Sequence, residues 1–429
     1  MRLLLYSLVF ILLAGASSCT DSLDLPEEMD DCRWNDCPDD EQDTMDTEYE
    51  NYVLWSKDMG ENFFGLSPIE TRDGSIYYSS NAGSNHIAKV SAVTGHEFWR
   101  WDYSFFFAEE VYVSPSADHV FVSKGRRIVV VDDFVGEWRN LIEEKDFEVL
   151  EEGYLGKDYF YRAAYTGFYG PIWNVLRAPI NNFEPSEVLF SINAEDYGAG
   201  RLIIGEMAEW LNPNTGERHL FVESWLNNNE ILLINYNISQ RRIEWDLLNF
   251  INNPNNNFNP NIREIRIVND KILIVTNGDI IAVNPVTGSI DWTYYSEGAG
   301  PDSRSISSPV YIPTTNELLT VSSGYNLESQ RVSIDLSSGQ VSRNSLSNPT
   351  TFRNPIYYKD HILTFSQAET ETGREKHILE VWNASNLSLE DRIEIPRFRK
   401  ATLVPERDCF ILVSVNELFS FDLEQIISL

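Results

Sequence analysis

Basic residues, cysteine and long apolar runs are all scarce in this chain. Only 33 Lys and Arg stand against 66 Asp and Glu, a net charge of −33. Such a surface repels phosphate backbones, which excludes a nucleic-acid binder, and it disfavours lying flat on anionic lipid. The four cysteines include no vicinal pair. The six histidines fall singly and beside strand-like runs, and no H-E-x-x-H, G-x-S-x-G or Walker-type loop occurs. The one long apolar run, Leu3 to Ala14, is too short to span a bilayer as a stable helix. No long stretch has helical periodicity.

From residue 52 onward the chain consists of short runs of Val, Ile, Tyr, Phe and Trp, separated by Gly, Pro, Asn and Asp. These are half-buried strands and turns, and the fold class is all-β. One hairpin spacing recurs. It is clearest at Ala282-Val283-Asn284-Pro285-Val286-Thr287-Gly288-Ser289-Ile290-Asp291-Trp292. Gly supplies the positive φ of the turn, the Asn or Asp side chain bonds turn amides, and the Trp covers the flank of a neighbouring unit. An earlier copy carries Thr94, Gly95 and Trp99; eroded copies keep Gly136, Trp245 or Gly339. A further copy reads Glu380-x-Trp382-x-x-Ser385-Asn386-x-x-x-Glu390. Units begin near 66, 111, 153, 201, 263, 308, 354 and 400, a period of roughly 45 residues, which is a repeat architecture of four-stranded blades. The last unit runs out at Leu429 without an outer strand, while 52–57 carries Trp55 and no hairpin of its own. The expectation is eight blades, with the ring closed by pairing 52–57 with 417–422.

This pattern resembles the PQQ-like (quinoprotein-type) β-propeller repeat, A-x-D-x-x-T-G-x-x-x-W, over 52–429. The resemblance implies an eight-bladed β-propeller in which Thr94, Gly95, Trp99, Trp245, Thr287, Gly288, Trp292 and Gly339 are structural staples. Quinoprotein dehydrogenases share the blades, but the methanol-dehydrogenase type carries an adjacent Cys-Cys pair over its cofactor. This chain has none, so the expectation is no cofactor, no metal and no catalytic residue.

The N-terminus gives an address. Arg2, the apolar run, small residues from Ala14 to Ser18 and then Cys19 resemble a bacterial lipoprotein lipobox, with Ala16 where the pattern most often has Leu. The resemblance implies a signal peptide over 1–18 and lipid attachment at Cys19. The alternative is plain secretion with Cys19 incidental. Residues 20–50 hold 14 Asp or Glu and one Arg. That composition reads as an acidic disordered tether over 19–50, reaching roughly 30 Å. The propeller then occupies 51–429. Cys32 and Cys37 have four residues between them, and an oxidising envelope allows a local disulfide. A metal site there lacks soft ligands, and the neighbouring Asp residues fit no EF-hand loop. A post-Cys acidic stretch resembles the export signals of Bacteroidetes-type surface lipoproteins, and Asp21-Ser22-Leu23 and Asp43-Thr44-Met45 resemble the O-glycosylation acceptors of that group. The expected location is the cell envelope, anchored to the outer membrane on its periplasmic face or at the cell surface.

A second resemblance is to non-catalytic PQQ-like propeller lipoproteins of the kind found in the outer-membrane β-barrel assembly machinery. It implies a protein-interaction scaffold whose partners are envelope proteins, with the membrane reached through the N-terminal lipid. The alternatives are a surface glycan- or ligand-binding lipoprotein and a quinoprotein-type dehydrogenase. Tyr154, Tyr159, Phe160, Tyr161, Tyr165, Phe168, Tyr169 and Trp173 crowd the third unit. They read as strand core, with glycan stacking or a protein contact as the alternative. Phe105, Phe106 and Phe107 are expected between the first two blades, 252–261 as a projecting loop, and Cys409 as a buried thiol.

Overall fold

The computed structural model describes residues 48–428 except 60–69, 81–85, 104–111, 116–117, 125, 144–146, 166–169, 182–183, 227–229, 250–261, 297–304, 325–326, 346–352, 370–374, 387 and 415. The expectations for Cys19, Cys32, Cys37, the acidic segment up to residue 47, Phe105 to Phe107, Phe168, Tyr169 and 252–261 fall outside the described residues.

Residues 48–429 form one compact unit, an eight-bladed propeller of antiparallel blades. Blades 1 to 7 span 70–102, 112–143, 148–193, 202–248, 262–295, 305–345 and 353–395. Each is a meander in which consecutive strands pair. The first strands of neighbouring blades meet around the axis. Blade 6 departs in one way: its inner strand is broken into Ser305–Ile306 and Val310–Ile312, both paired with Glu317–Gly324.

The middle strands read as continuous apolar runs because each is buried on both faces. In Lys271–Thr276, Ile272 and Ile274 join the cluster against blade 4, while Leu273 and Val275 join the cluster against blade 6. Alternation of side chains along the strand sends successive residues into different seams.

Blade 8 consists of Phe398–Val404, Cys409–Ser414 and Glu417–Asp422, completed by Val53–Asp58 from the other end of the chain. Trp55 lies opposite Ser420 and Lys57 opposite Leu418. Closure covers the edge that Glu417–Asp422 would otherwise present and gives this blade the same outer strand as the others. The join is reinforced on both sides. Tyr49, in a 3₁₀ turn, packs edge-on against Phe419 at 6.2 Å. After the last strand the Asp422 side chain accepts from the Gln425 amide at 3.1 Å and starts the helix Leu423–Ile427, which buries Leu423 and Ile426. Cys409 is buried in the second strand of this blade, and burial pushes its thiol up to about 11.

Two details differ from the sequence reading. In blade 7 the turn is capped by Asn383, whose side chain accepts from the Ser385 and Asn386 amides at 3.0 and 3.3 Å. The residue in the Trp292 position is therefore Asp391, opposite Val381, and not Glu390. Trp382 and Asn383 are adjacent, and a one-residue slip moves every side chain to the other face. The second difference is a β-bulge that spacing alone did not reveal. In seven of eight blades the pairing of the third and outer strands shifts just before the motif position. A bulge re-aims the residue after it. Trp55, Trp99, Trp245 and Trp292 each follow one directly. Blade 6 has none, and its Arg343 points back to blade 5, over the Tyr294 ring at 5.6 Å.

Candidate interaction surface

Antiparallel order brings the first and third connections of every blade to one end of the ring. The third connection is the motif turn. Its first residue pins the loop. Asn284 Oδ1 accepts from Val286 and Thr287 at 2.9 and 3.1 Å, and Thr287 Oγ1 accepts from the Ser289 amide at 3.3 Å. Thr94 plays the same part for His96 at 3.3 Å, while its own amide donates to Ser91 Oγ at 3.2 Å.

The Trp of one blade and the Gly of the next form one contact. Trp99 Nε1 donates to the Asp133 carbonyl at 2.7 Å, and a Cβ on Gly136 would lie 2.7 Å from the Trp99 ring. Trp245 and Trp292 repeat this, donating to Pro285 O at 3.1 Å and Leu336 O at 2.8 Å, with Gly288 and Gly339 beneath the rings. Trp55 completes the set at the join: it donates to Ala92 O at 2.9 Å and lies over Gly95. These glycines have φ near +70° and no room for a Cβ, so two independent constraints select Gly. Four seams (8/1, 1/2, 4/5 and 5/6) carry this staple.

The first connections use a different residue. Six of them contain an Asp: Asp73, Asp118, Asp158, Asp270, Asp360 and Asp408. Four of these have positive φ, which Asp tolerates better than most residues. A local backbone demand thus sets carboxylates around one end of the ring.

On this end, blades 1 and 2 stand apart. Phe134 occupies the turn of blade 2 at 90% exposure, Trp138 is 58% exposed and Phe98 52%, with Val135 and Leu141 also exposed. Asp132 Oδ1 accepts from the Phe134 and Val135 amides at 2.9 and 3.0 Å, and its Oδ2 accepts from Arg139 at 2.8 Å. The Val135 amide and the Arg139 guanidinium hold this carboxyl below the ordinary carboxylate range. Trp138 lies opposite Val131, the register position that Glu97 holds in blade 1, where Glu97 accepts from Lys57 of blade 8 at 2.7 Å. The motif position of blade 2 is Asn140. Its Trp therefore stands two residues early and faces solvent.

The aromatics of blade 3 behave as core. Phe160, Tyr161 and Trp173 are buried, and Tyr154, Tyr159 and Tyr165 pack against them. Among the described residues no group of three or more His, Cys, Asp or Glu is placed to hold a metal ion. Likewise, no helix among them is long and apolar enough to cross a membrane.

Comparison with solved structures places this architecture among β-propellers. The chain is similar to BamB from Moraxella catarrhalis, with a TM-score of 0.52 and 9% identity, covering 86% of this chain and 99% of that one. It is similar to a europium-containing methanol dehydrogenase at TM-score 0.58 and 9% identity, over 86% and 93% of the two chains. The WD40 domain of SCAP from fission yeast gives 0.53 and 7%, over 87% and 98%. At these identities the likeness is one of fold. No family model matches the sequence, and no curated protein does.

Proposed function

We propose that this protein is a non-enzymatic scaffold of the cell envelope, anchored to the outer membrane through lipid on Cys19, whose propeller binds envelope proteins. The observation that carries the reading is the group of exposed aromatic and aliphatic side chains on blades 1 and 2. A ring-closing fold does not need them, and two of them, Phe134 and Val135, sit on a turn pinned by side-chain hydrogen bonds. Large rigid aromatics in solvent are the residues that dominate protein contacts. The fold shared with BamB supports a protein-binding propeller, and the Arg2-to-Cys19 stretch supports the anchor. On this reading the acidic tether expected over 19–50 ends at residue 47, because Glu48–Tyr52 belongs to the propeller, and Cys32 and Cys37 are disulfide-bonded within the tether.

The test is fractionation of cells carrying the full chain or its Cys19→Ala form, followed by chemical cross-linking. The expected result is membrane-bound wild type, soluble Cys19→Ala, and cross-links to envelope proteins that are lost in the soluble form. Identical fractionation of the two forms refutes the anchor. Stoichiometric binding of PQQ to the purified protein refutes the scaffold reading in favour of a quinoprotein.

A further inference from the structure

We propose that Phe134 and Trp138 are the docking point for a cationic protein surface, with Phe134 entering an apolar pocket on that partner. The proposal rests on the scaffold reading above and specifies its contact. Three observations support it.

The first is geometry. Phe134 stands on a turn closed by the Gly136 amide to the Asp132 carbonyl at 2.9 Å and by two amides to the Asp132 side chain. The turn is also tied inward, because the Asp133 amide donates to Asp118 O at 3.0 Å and the Trp99 indole to Asp133 O. A side chain presented on so fixed a backbone loses little further entropy on binding. It protrudes, so it suits a concave receptor; a sugar face stacks on a flat platform instead.

The second is the contrast with equivalent turns. The position of Phe134 is filled by Val93, Val286 and Ser337 in blades 1, 5 and 6. Nothing in the turn geometry asks for Phe. The neighbouring Trp has likewise moved from the stapling position to Trp138, so the aromatics of this turn and of the strand after it are both in solvent contact, while Phe121 of the same blade stays in the core.

The third is charge. Around this turn the cations are already matched within the ring: Lys57 with Glu97, Lys89 with Asp133 and Arg139 with Asp132. Asp118 and Glu137 remain exposed beside Phe134. The chain as a whole carries −33. A second copy of the chain is repelled by that field, whereas a cationic partner is steered in by it. Once docked, Lys or Arg around the pocket also meets the faces of Phe134 and Trp138.

The probe is p-benzoylphenylalanine at position 134 of the full chain in its own cells, with the same probe at position 286 as control. Val286 occupies the matching turn of blade 5 and is 55% exposed. The expected result is a discrete protein adduct from position 134 and none from 286. With the adduct partner purified, Phe134→Ser should raise the dissociation rate about tenfold or more while Val286→Ser leaves it unchanged. The association rate should fall about tenfold between low and high salt. Equal adducts at both positions, an adduct to a second copy or to glycan, or a salt-independent association rate overturns the docking point. If 134 is silent but the probe at other surface positions traps an envelope protein, the scaffold reading stands and this contact fails. If no surface position traps a protein, both fail.

Discussion

At the seam between blades 4 and 5, the Trp245 indole lies over Gly288 and donates to Pro285 O. At the seam between blades 3 and 4 there is no such pair. Phe190 stacks on Tyr236 at 4.3 Å, the Tyr236 hydroxyl donates to Leu189 O at 3.1 Å, and Arg218 pairs with Asp158. Two of the other three unstapled seams also use rings: Phe121 on Phe160 at 5.7 Å between blades 2 and 3, and Phe365 on Phe398 at 5.1 Å between blades 7 and 8, whereas the seam of blades 6 and 7 packs Val310, Ile312 and Leu319 against Ile362 and Ala384. Both kinds of seam bury aromatic area. They differ in tolerance. A stapled seam admits one residue type at each of two positions, because the ring occupies the space of a Cβ. A stacked seam spreads the same burial over several replaceable contacts.

The largest effect expected from this contrast comes from removing an indole. Trp245→Ala or Trp292→Ala should each destabilise by about 3–5 kcal/mol, as large core aromatics do, read from urea unfolding. Trp55→Ala should match them if the join is a seam like the others. A markedly smaller loss would show that the join relies on backbone pairing instead.

Gly288→Ala and Gly216→Ala sharpen the cause. Both glycines have φ +72°, but a Cβ at 288 meets Trp245 at 2.7 Å while nothing lies within 4 Å of one at 216. Both variants carry the left-handed backbone cost of about 1–2 kcal/mol. Gly288→Ala should lose about 1–3 kcal/mol more through overpacking. Equal losses would assign the glycine to backbone conformation alone.

On the stacked side, Tyr236→Phe keeps the ring and removes one hydrogen bond, for an expected loss of about 1 kcal/mol. A loss as large as that of Trp245→Ala would erase the distinction between the two kinds of seam.

The smallest effect is a pH dependence at the seam of blades 3 and 4. Burial raises the Glu209 carboxyl above its ordinary value, against the Lys157 amide at 3.1 Å and Arg218. A carboxyl raised on folding stabilises most below the unfolded value, and that contribution is lost as pH rises through the folded value. Glu209→Gln removes the titration. Relative to wild type, the variant should therefore be more favourable at pH 7 than at pH 4 by urea unfolding. A gap independent of pH, or one of opposite sign, would show that Arg218 outweighs burial.

The contrast also explains what could be read in advance. A staple leaves a spaced signature, Thr-Gly and then Trp, so the blade count and the closing role of Val53–Asp58 were legible. Stacked seams draw their rings from different strands with no fixed spacing, so Phe190 on Tyr236 was not. The pairing of Trp99 with the glycine of the following unit was hidden because the contact joins two repeats. The exposed group on blade 2 was missed, although a signal existed: Phe134 stands where the equivalent turns carry Val or Ser, and Trp138 is two residues out of register. Exposure itself had to come from the structure.

Sequence by itself determined the repeat, the number of blades, the charge and the turn chemistry, because each depends on local conformational preference or on composition. Only the tertiary structure decided which Trp covers which Gly, and which aromatics are core or surface. Those depend on the register at a bulge and on the neighbour brought alongside by ring closure. The crowded aromatics of blade 3 and the sparse ones of blade 2 look alike as residues. Packing buried the first group and left Phe134 and Trp138 in solvent.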